Sequence, residues 1–385
     1  MPEALAELFR GLELTLLKNI ADRLKISDKL NEVTVQDIKA LRSHGISLKE
    51  IRRAIKKTAG ATTSKIKKLF RDVVARNKAF YKWAIKISDV TEPEIMVDNS
   101  FVDAVKRQTI GECRNITQSM GFIVNGKLIP PGDAYQWALD NAVMQIESSA
   151  ISYDEAISNA TRQLADSGLE YVVYQNGNKK RADHVDVAVR RAVMTGVSQI
   201  NRKYDEQNME TLETDLVEVS AHAGARDKGD GFVNHKSWQG KVYRWAKYTQ
   251  KFPKASRGKY PDFEDTCGLG DVQGIIGANC RHSFHAFVEG VMERTYTDAQ
   301  LKNIDKPPFT FEGKTYTTYE ATQVQRQLEN AVRHWKRREA AAITDEDKMT
   351  ARSRIKALQR RYVTFSRAAG LRTQEERMRA YIPKV

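Results

Sequence analysis

Four side chains between residues 222 and 282 combine the donor types that bind zinc: His222, His235, Cys280 and His282, with His285 as a substitute for the last. Imidazole nitrogen and thiolate sulfur are the ligands this ion prefers. They stand in three short motifs: Ala221-His222-Ala223-Gly224-Ala225-Arg226, His235-Lys236-Ser237-Trp238-Gln239-Gly240-Lys241 and Asn279-Cys280-Arg281-His282-Ser283-Phe284-His285. No pair has the C-x2-C or H-x3-H spacing of a zinc finger. In an extended segment, however, Cys280 and His282 lie on the same face and can both point inward. Three chemistries compete for these residues: a buried hydrogen-bonded network holding Gly-rich loops, a structural zinc, or a catalytic site.

Other enzyme signatures fail on inspection. Cys280 beside His282 suggests a thiol nucleophile, but a catalytic histidine generally comes from elsewhere in the fold, and no oxyanion partner is visible. Gly268-Leu269-Gly270-Asp271-Val272-Gln273-Gly274 has the glycines of a nucleotide loop. It lacks the flanking strand and helix and the Lys-Ser/Thr that would hold phosphates. Acidic residues show no paired-carboxylate pattern. The sequence therefore nominates no catalytic and no cofactor-binding residue beyond the four candidate zinc ligands.

A second set of candidates is cationic. Arg333, Lys336, Arg337 and Arg338, with Arg360 and Arg361, sit on two C-terminal helices. They are expected to be solvated and to contact phosphate or an acidic protein surface. Trp335, in the same run, belongs to an apolar stripe and is expected in the core. The whole chain of 385 residues carries a net charge of +14, distributed as +11 over residues 1–88, −6 over 89–320 and +9 over 321–385. Basic ends favour a polyanion; solvated helix faces are the plainer alternative.

Composition narrows the class. With 41% hydrophobic and 29% charged residues the chain has a real core. No apolar run approaches the ~18 residues of a membrane helix. Acid at the N-terminus, where a secretory signal carries base, argues against export. Three cysteines cannot all pair, which fits a reducing compartment.

The elements that must position these residues are mostly helical. Leu5, Leu8, Leu12, Leu16, Ile20 and Leu24 form one stripe. Two short helices with capping boxes Thr34-x-x-Asp37 and Ser47-x-x-Glu50 are expected next, the second ended by Gly60, then a longer helix over Thr62–Ile87. The basic pair over 34–59 could pass for a DNA-binding helix-turn-helix, which makes a sequence-specific regulator a third functional reading. After a linker at 88–99, helices are expected at 100–120, 133–149 and 152–166. A hairpin edge follows at Tyr171–Tyr174, then a helix from Asp183 to Glu206. Strands are expected at 216–220, 241–245, 283–288 and 309–316 among Gly-rich loops. Finally, the stripes Ala321, Val324, Leu328, Ala331, Trp335 and Ile355, Leu358, Tyr362, Phe365, Ala369 predict an antiparallel helical hairpin.

Several of these motifs stand in a familiar order. The helix around Gly196, then Ser220–Arg226, His235-x-x-Trp238-Gln239-Gly240-Lys241-Val242-Tyr243, Gly277-x-Asn279-Cys280-Arg281-His282-Ser283-Phe284 and Tyr319-x-x-x-Gln323-x-Gln325-Arg326-x-Leu328-Glu329 resemble the tailed-phage minor capsid protein family. They are distantly similar to Mu-type minor head, or head morphogenesis, proteins. The segment Arg181–Ala192 fits as well, and the resemblance covers roughly residues 130–385. It implies a virion component in a few copies, made in the host cytoplasm and placed on the inner side of the capsid at the portal vertex. The partners implied are the portal protein, other head proteins and packaged DNA held by non-specific phosphate contact, with no membrane in the assembled head. The roles implied are head assembly and DNA packaging or delivery, without catalytic residues. The first 90 residues lie outside the resemblance and would form a portal-docking extension.

The expected architecture is α+β and predominantly α-helical. It comprises a basic helical N-terminal domain (1–90), a helical region with a short hairpin near 170–180 (91–210), a Gly-rich α+β domain with the His/Cys cluster (211–316) and a basic C-terminal helical hairpin (317–385). The leading function is a structural, non-enzymatic minor capsid protein, with structural zinc as the one cofactor the residues admit. The alternative is a metal-dependent nuclease or transferase built on the cluster at 222–285.

Overall fold

The computed structural model describes residues 2–25, 48–91, 97–148, 151–175, 178–252, 259–277 and 280–382. It is predominantly helical with small antiparallel sheets, α+β as the periodicities imply.

Helix α1 (Pro2–Leu24) buries the stripe Leu5, Leu8, Leu12, Leu16, Ile20 and Leu24. Helix α2 (Leu48–Ser88) has 41 residues, about 60 Å at 1.5 Å per residue. The expected break at Gly60 does not occur. Buried Ile51, Thr58, Thr62, Ile66 and Phe70 continue one face across it, and Gly60 itself is exposed, so it costs only about 1 kcal/mol against alanine. Residues 34–47 lie outside the described residues; from 48 to 59 the chain is the start of α2, without a turn.

Helices α3 (Asn99–Ser119), α4 (Ala134–Ser148), α5 (Tyr153–Ser167) and α6 (Val185–Thr211) complete this layer. A sheet of order β2-β1-β3-β4 joins them, from β1 (Met120–Val124), β2 (Lys127–Ile129), β3 (Leu169–Gln175) and β4 (Asn178–His184). The β1–β2 hairpin is absent from the sequence reading, although its signal is there. Asn125-Gly126 separates two apolar runs, and both residues take positive φ (50° and 76°), as a two-residue hairpin turn requires. The expected boundary near residue 90 separates no cores: apolar residues from Leu5 to Tyr204 form one cluster.

Helix α6 is the spine of that cluster, and at Gly196 its neighbours leave no room for a side chain. A Cβ there would lie 2.3 Å from Thr109 Oγ1 and 2.9 Å from Phe70 Cζ. The Thr109 hydroxyl donates to Val105 O at 2.9 Å and cannot swing aside freely. Gly196→Ala is expected to cost about 1–3 kcal/mol, read as a lower urea midpoint at unchanged slope.

The central domain is built on a three-stranded antiparallel sheet of order β6-β5-β7, from β5 (Leu216–Val219), β6 (Val242–Arg244) and β7 (Phe284–Phe287). Short helices α7 (His235–Trp238), α8 (Ala246–Thr249) and α9 (Phe263–Cys267) cover it, and its core holds Trp238, Tyr243, Trp245, Phe263 and Phe284. After α10 (Asp298–Lys302), the hairpin β8 (Phe309–Phe311) and β9 (Lys314–Tyr316) leads into α11 (Thr318–Ala340) and α12 (Asp345–Ala368).

Helices α11 and α12 pack as the expected antiparallel pair. A capping box between Thr317 and Glu320 starts α11. The buried stripe of α11 runs Ala321, Gln325, Leu328, Val332 and passes Ala331, while Trp335 and, on α12, Leu358 are half-buried and pack against the edge of the same cluster. Polar Gln325 is tolerated because its amide donates to Ser366 Oγ at 2.7 Å.

Candidate functional site

The loops that lead into α7 and β7 bring the candidate ligands together. His235 opens α7, and His282 sits just before β7. Both are buried, at 3% and 4% exposure, while Cys280 and His222 are half-buried. The donor atoms of His235, Cys280 and His282 all lie within 4.8 Å of one another. His222 stacks on His282 with ring centroids 4.4 Å apart, and Trp238 meets His282 edge-on at 4.8 Å.

Hydrogen bonds fix these rings. His282 Nε2 is 3.1 Å from Gln239 Oε1, an oxygen that can only accept, so Nε2 carries the proton and Nδ1 the lone pair. That Nδ1 faces Cys280 Sγ at 3.5 Å, so the thiol donates to it. Gln239 Oε1 also accepts the His222 backbone N–H at 3.0 Å. His235 Nε2 donates to Gln273 O at 2.7 Å, which leaves its Nδ1 without a proton. Burial holds His282 neutral down to about pH 3, reinforced by the neighbouring histidines and Arg281. Burial likewise pushes the Cys280 thiol up and His222 and His235 down. At neutral pH the cluster is a thiol with neutral imidazoles.

His285 is not part of this group. It lies on β7 opposite Glu218, 3.3 Å from that carboxylate, and packs edge-on against Phe80 of α2 at 5.4 Å. Arg281, which the sequence reading passed over, reaches His222 Nδ1 at 3.5 Å.

The C-terminal cations depart from expectation. Arg337 is buried at 7% exposure; its Nε donates to Ala165 O at 2.8 Å and its guanidinium faces Glu13 at 3.9 Å. Arg338 pairs with Asp166, Arg333 donates to Arg377 O at 2.8 Å, and Lys336 donates to Met378 O at 2.7 Å. These heads are engaged because this face of α11 packs on α1, α5 and the segment after α12. Arg360 and Arg361 are exposed, Arg361 beside Glu312 at 2.5 Å. Together with Arg354 they border a groove of about 550 Å³ over Phe311, Trp335 and Leu358.

The exposed cations concentrate on α2 instead. That helix has 13 Lys/Arg against two acids, Glu50 and Asp72. Arg52, Lys56, Lys67, Lys68 and Arg71 are exposed and make no ion pair among the described residues. The +11 of the first 88 residues points to this region, but the expected break at Gly60 divides the single rod into a short helix and a longer one.

Comparison with known proteins covers nearly the whole chain. The family profile described as phage minor capsid protein 2 matches residues 1–366, so the first 90 residues fall inside the family rather than outside it. A structural protein of Lactococcus phage LL-H is 23% identical over 335 residues, which is 86% of this chain and 84% of that protein. A structural protein of Lactococcus phage mv4 is 37% identical over 84 residues, 22% of this chain and 58% of that protein. No solved structure matches the chain significantly.

Proposed function

The chain belongs to the phage minor capsid protein 2 family, and from that premise we propose that it is a structural component of the virion. It sits on the inner side of the head at the portal vertex, against the portal protein and other head proteins. There it contributes to head assembly and to packaging or delivery of DNA.

The observation that carries the DNA part is the α2 ladder: a rod about 60 Å long whose exposed Arg52, Lys56, Lys67, Lys68 and Arg71 make no ion pair among the described residues. Each phosphate such a side chain neutralises releases a condensed counterion, so binding is steeply salt-dependent and blind to sequence. The exposed cations of α12, Arg352, Arg354, Lys356 and Arg360, add to the same field. No helix among the described residues is long and apolar enough to cross a membrane.

The test is a salt titration of affinity for two unrelated duplexes. Equal affinities are expected, and the triple variant Lys67→Glu, Lys68→Glu, Arg71→Glu should lower the log–log salt slope by about 3. Sequence selectivity would favour a regulator instead. Absence of binding at ~50 mM salt would mean that the basic faces dock on protein. Electron cryo-microscopy of assembled heads tests placement; density outside the shell would overturn it.

The cluster at 222–282 supports a structural rather than a catalytic part in this proposal. His235 and His282 are buried, whereas a metal-dependent nuclease or transferase needs them open to substrate.

A further inference from the structure

We propose that His235, Cys280 and His282 bind one zinc ion, which ties the loop before β7 to helix α7 and so staples the central domain. The distances fit the ion. Zinc–sulfur and zinc–nitrogen bonds of about 2.3 and 2.0–2.1 Å at a tetrahedral angle place the two donors about 3.5 Å apart. Cys280 Sγ and His282 Nδ1 are 3.5 Å apart. The widest separation in the triad is within 4.8 Å, so closing on the ion takes a shift of about 1 Å.

The surroundings are those of a ligating site. A metal-bound histidine typically donates its other N–H to an oxygen, which fixes the ring and raises its basicity. Both buried histidines do this here: His282 to the Gln239 side chain and His235 to the Gln273 carbonyl. Each is left with Nδ1 as its unprotonated nitrogen. The Gln239 oxygen that orients His282 also holds the His222 backbone, which keeps the His222 ring stacked on His282.

Binding is an exchange of a proton for a metal. The Cys280 S–H now donates to His282 Nδ1; Zn²⁺ takes that place, the S–H bond breaks, a Zn–S bond forms to the thiolate, and the proton leaves to solvent. No redox partner is needed.

The experiment uses the full chain without a polyhistidine tag. Elemental analysis after incubation with zinc and desalting is expected to find about one zinc per chain. Cobalt substitution is expected to give the near-ultraviolet thiolate-to-cobalt absorption, and chelator should lower the melting temperature. Cys280→Ser should remove the absorption and the chelator effect, and Gln239→Leu should weaken zinc about 10–100-fold. A chain that takes up no zinc, or a Cys280→Ser protein that binds it as tightly as the parent, overturns the proposal. If Cys280→Ser does not fold, the parent's cobalt spectrum decides: absorption without the thiolate band also overturns it.

Discussion

Above pH 7, where Glu13 is ionised in the fold, replacing Arg337 by alanine is expected to destabilise the protein by about 3–5 kcal/mol, because it removes the buried cation that faces this carboxylate. Glu13 is 8% exposed, accepts the Leu169 N–H at 2.7 Å and faces Arg337 at 3.9 Å. Burial raises its pKa to about 7 even with Arg337 pulling the other way. The variant also orphans Ala165 O. The pair Glu13→Gln with Arg337→Met should recover much of the loss, since a neutral, filled site avoids the charge burial. Urea titrations of the two single variants and the double variant close the cycle.

The same carboxyl gives a pH signature with a definite sign. Between the ordinary value of 4.5 and about 7, the folded chain holds a proton on Glu13 that the unfolded chain has released. Stability from this group is therefore present at low pH and falls as pH rises through that window, by about 3 kcal/mol in all. Compared with Glu13→Gln, the parent should lose ground between pH 5 and pH 8. A parallel pair of profiles would show that Glu13 ionises freely in the fold.

Trp245→Ala is expected to cost a further about 3–5 kcal/mol in the central domain. Trp245 is fully buried, with Tyr248, Phe263 and Phe284 meeting its ring edge-on at 5.2, 5.5 and 5.6 Å. Its Nε1 donates to Glu264 at 3.0 Å, and its backbone N–H donates to Asp215 O at 2.8 Å. Trp245→Phe keeps most of the packing and should lose about 1 kcal/mol for the indole hydrogen bond plus the cavity term. Near-ultraviolet circular dichroism with urea melts separates the two. If alanine and phenylalanine behave alike, the aromatic cluster is not the core of this domain.

What the sequence made legible was what local pattern encodes. The pairing of α11 with α12 was readable from Leu328, Tyr362 and Phe365 at helical spacing, and the 309–316 hairpin from Glu312-Gly313. The meeting of His235, Cys280 and His282 was readable from their short, Gly-rich frames. Continuity of α2 through Gly60 was not, because an exposed glycine weakens a helix without ending it when the apolar face continues on both sides. The inward turn of Arg333–Arg338 was invisible for a different reason. It depends on Glu13 and Asp166, 324 and 172 residues away from Arg337 and Arg338, and no local pattern carries that pairing. Had those heads been solvated, charge reversal at Lys336, Arg337 and Arg338 would have spared the fold; with Arg337 buried, it is expected to unfold it.

The stitching of α1 to the far end of the chain sets a clock on biosynthesis. Arg10 Nε donates to Arg379 O at 2.7 Å and Tyr381 N–H to Glu7 O at 2.9 Å, contacts that span about 370 residues. At 5–20 residues per second a ribosome needs about 20–70 s to supply the second partner after the first has emerged. Through that interval the apolar stripe of α1 has the α6 and α11 surfaces and this clasp still to come, so the nascent chain is exposed to aggregation and to chaperones. Fast translation, or a chaperone that shields Leu5 to Leu16, should raise the soluble yield more than any stabilising change confined to the α11–α12 hairpin.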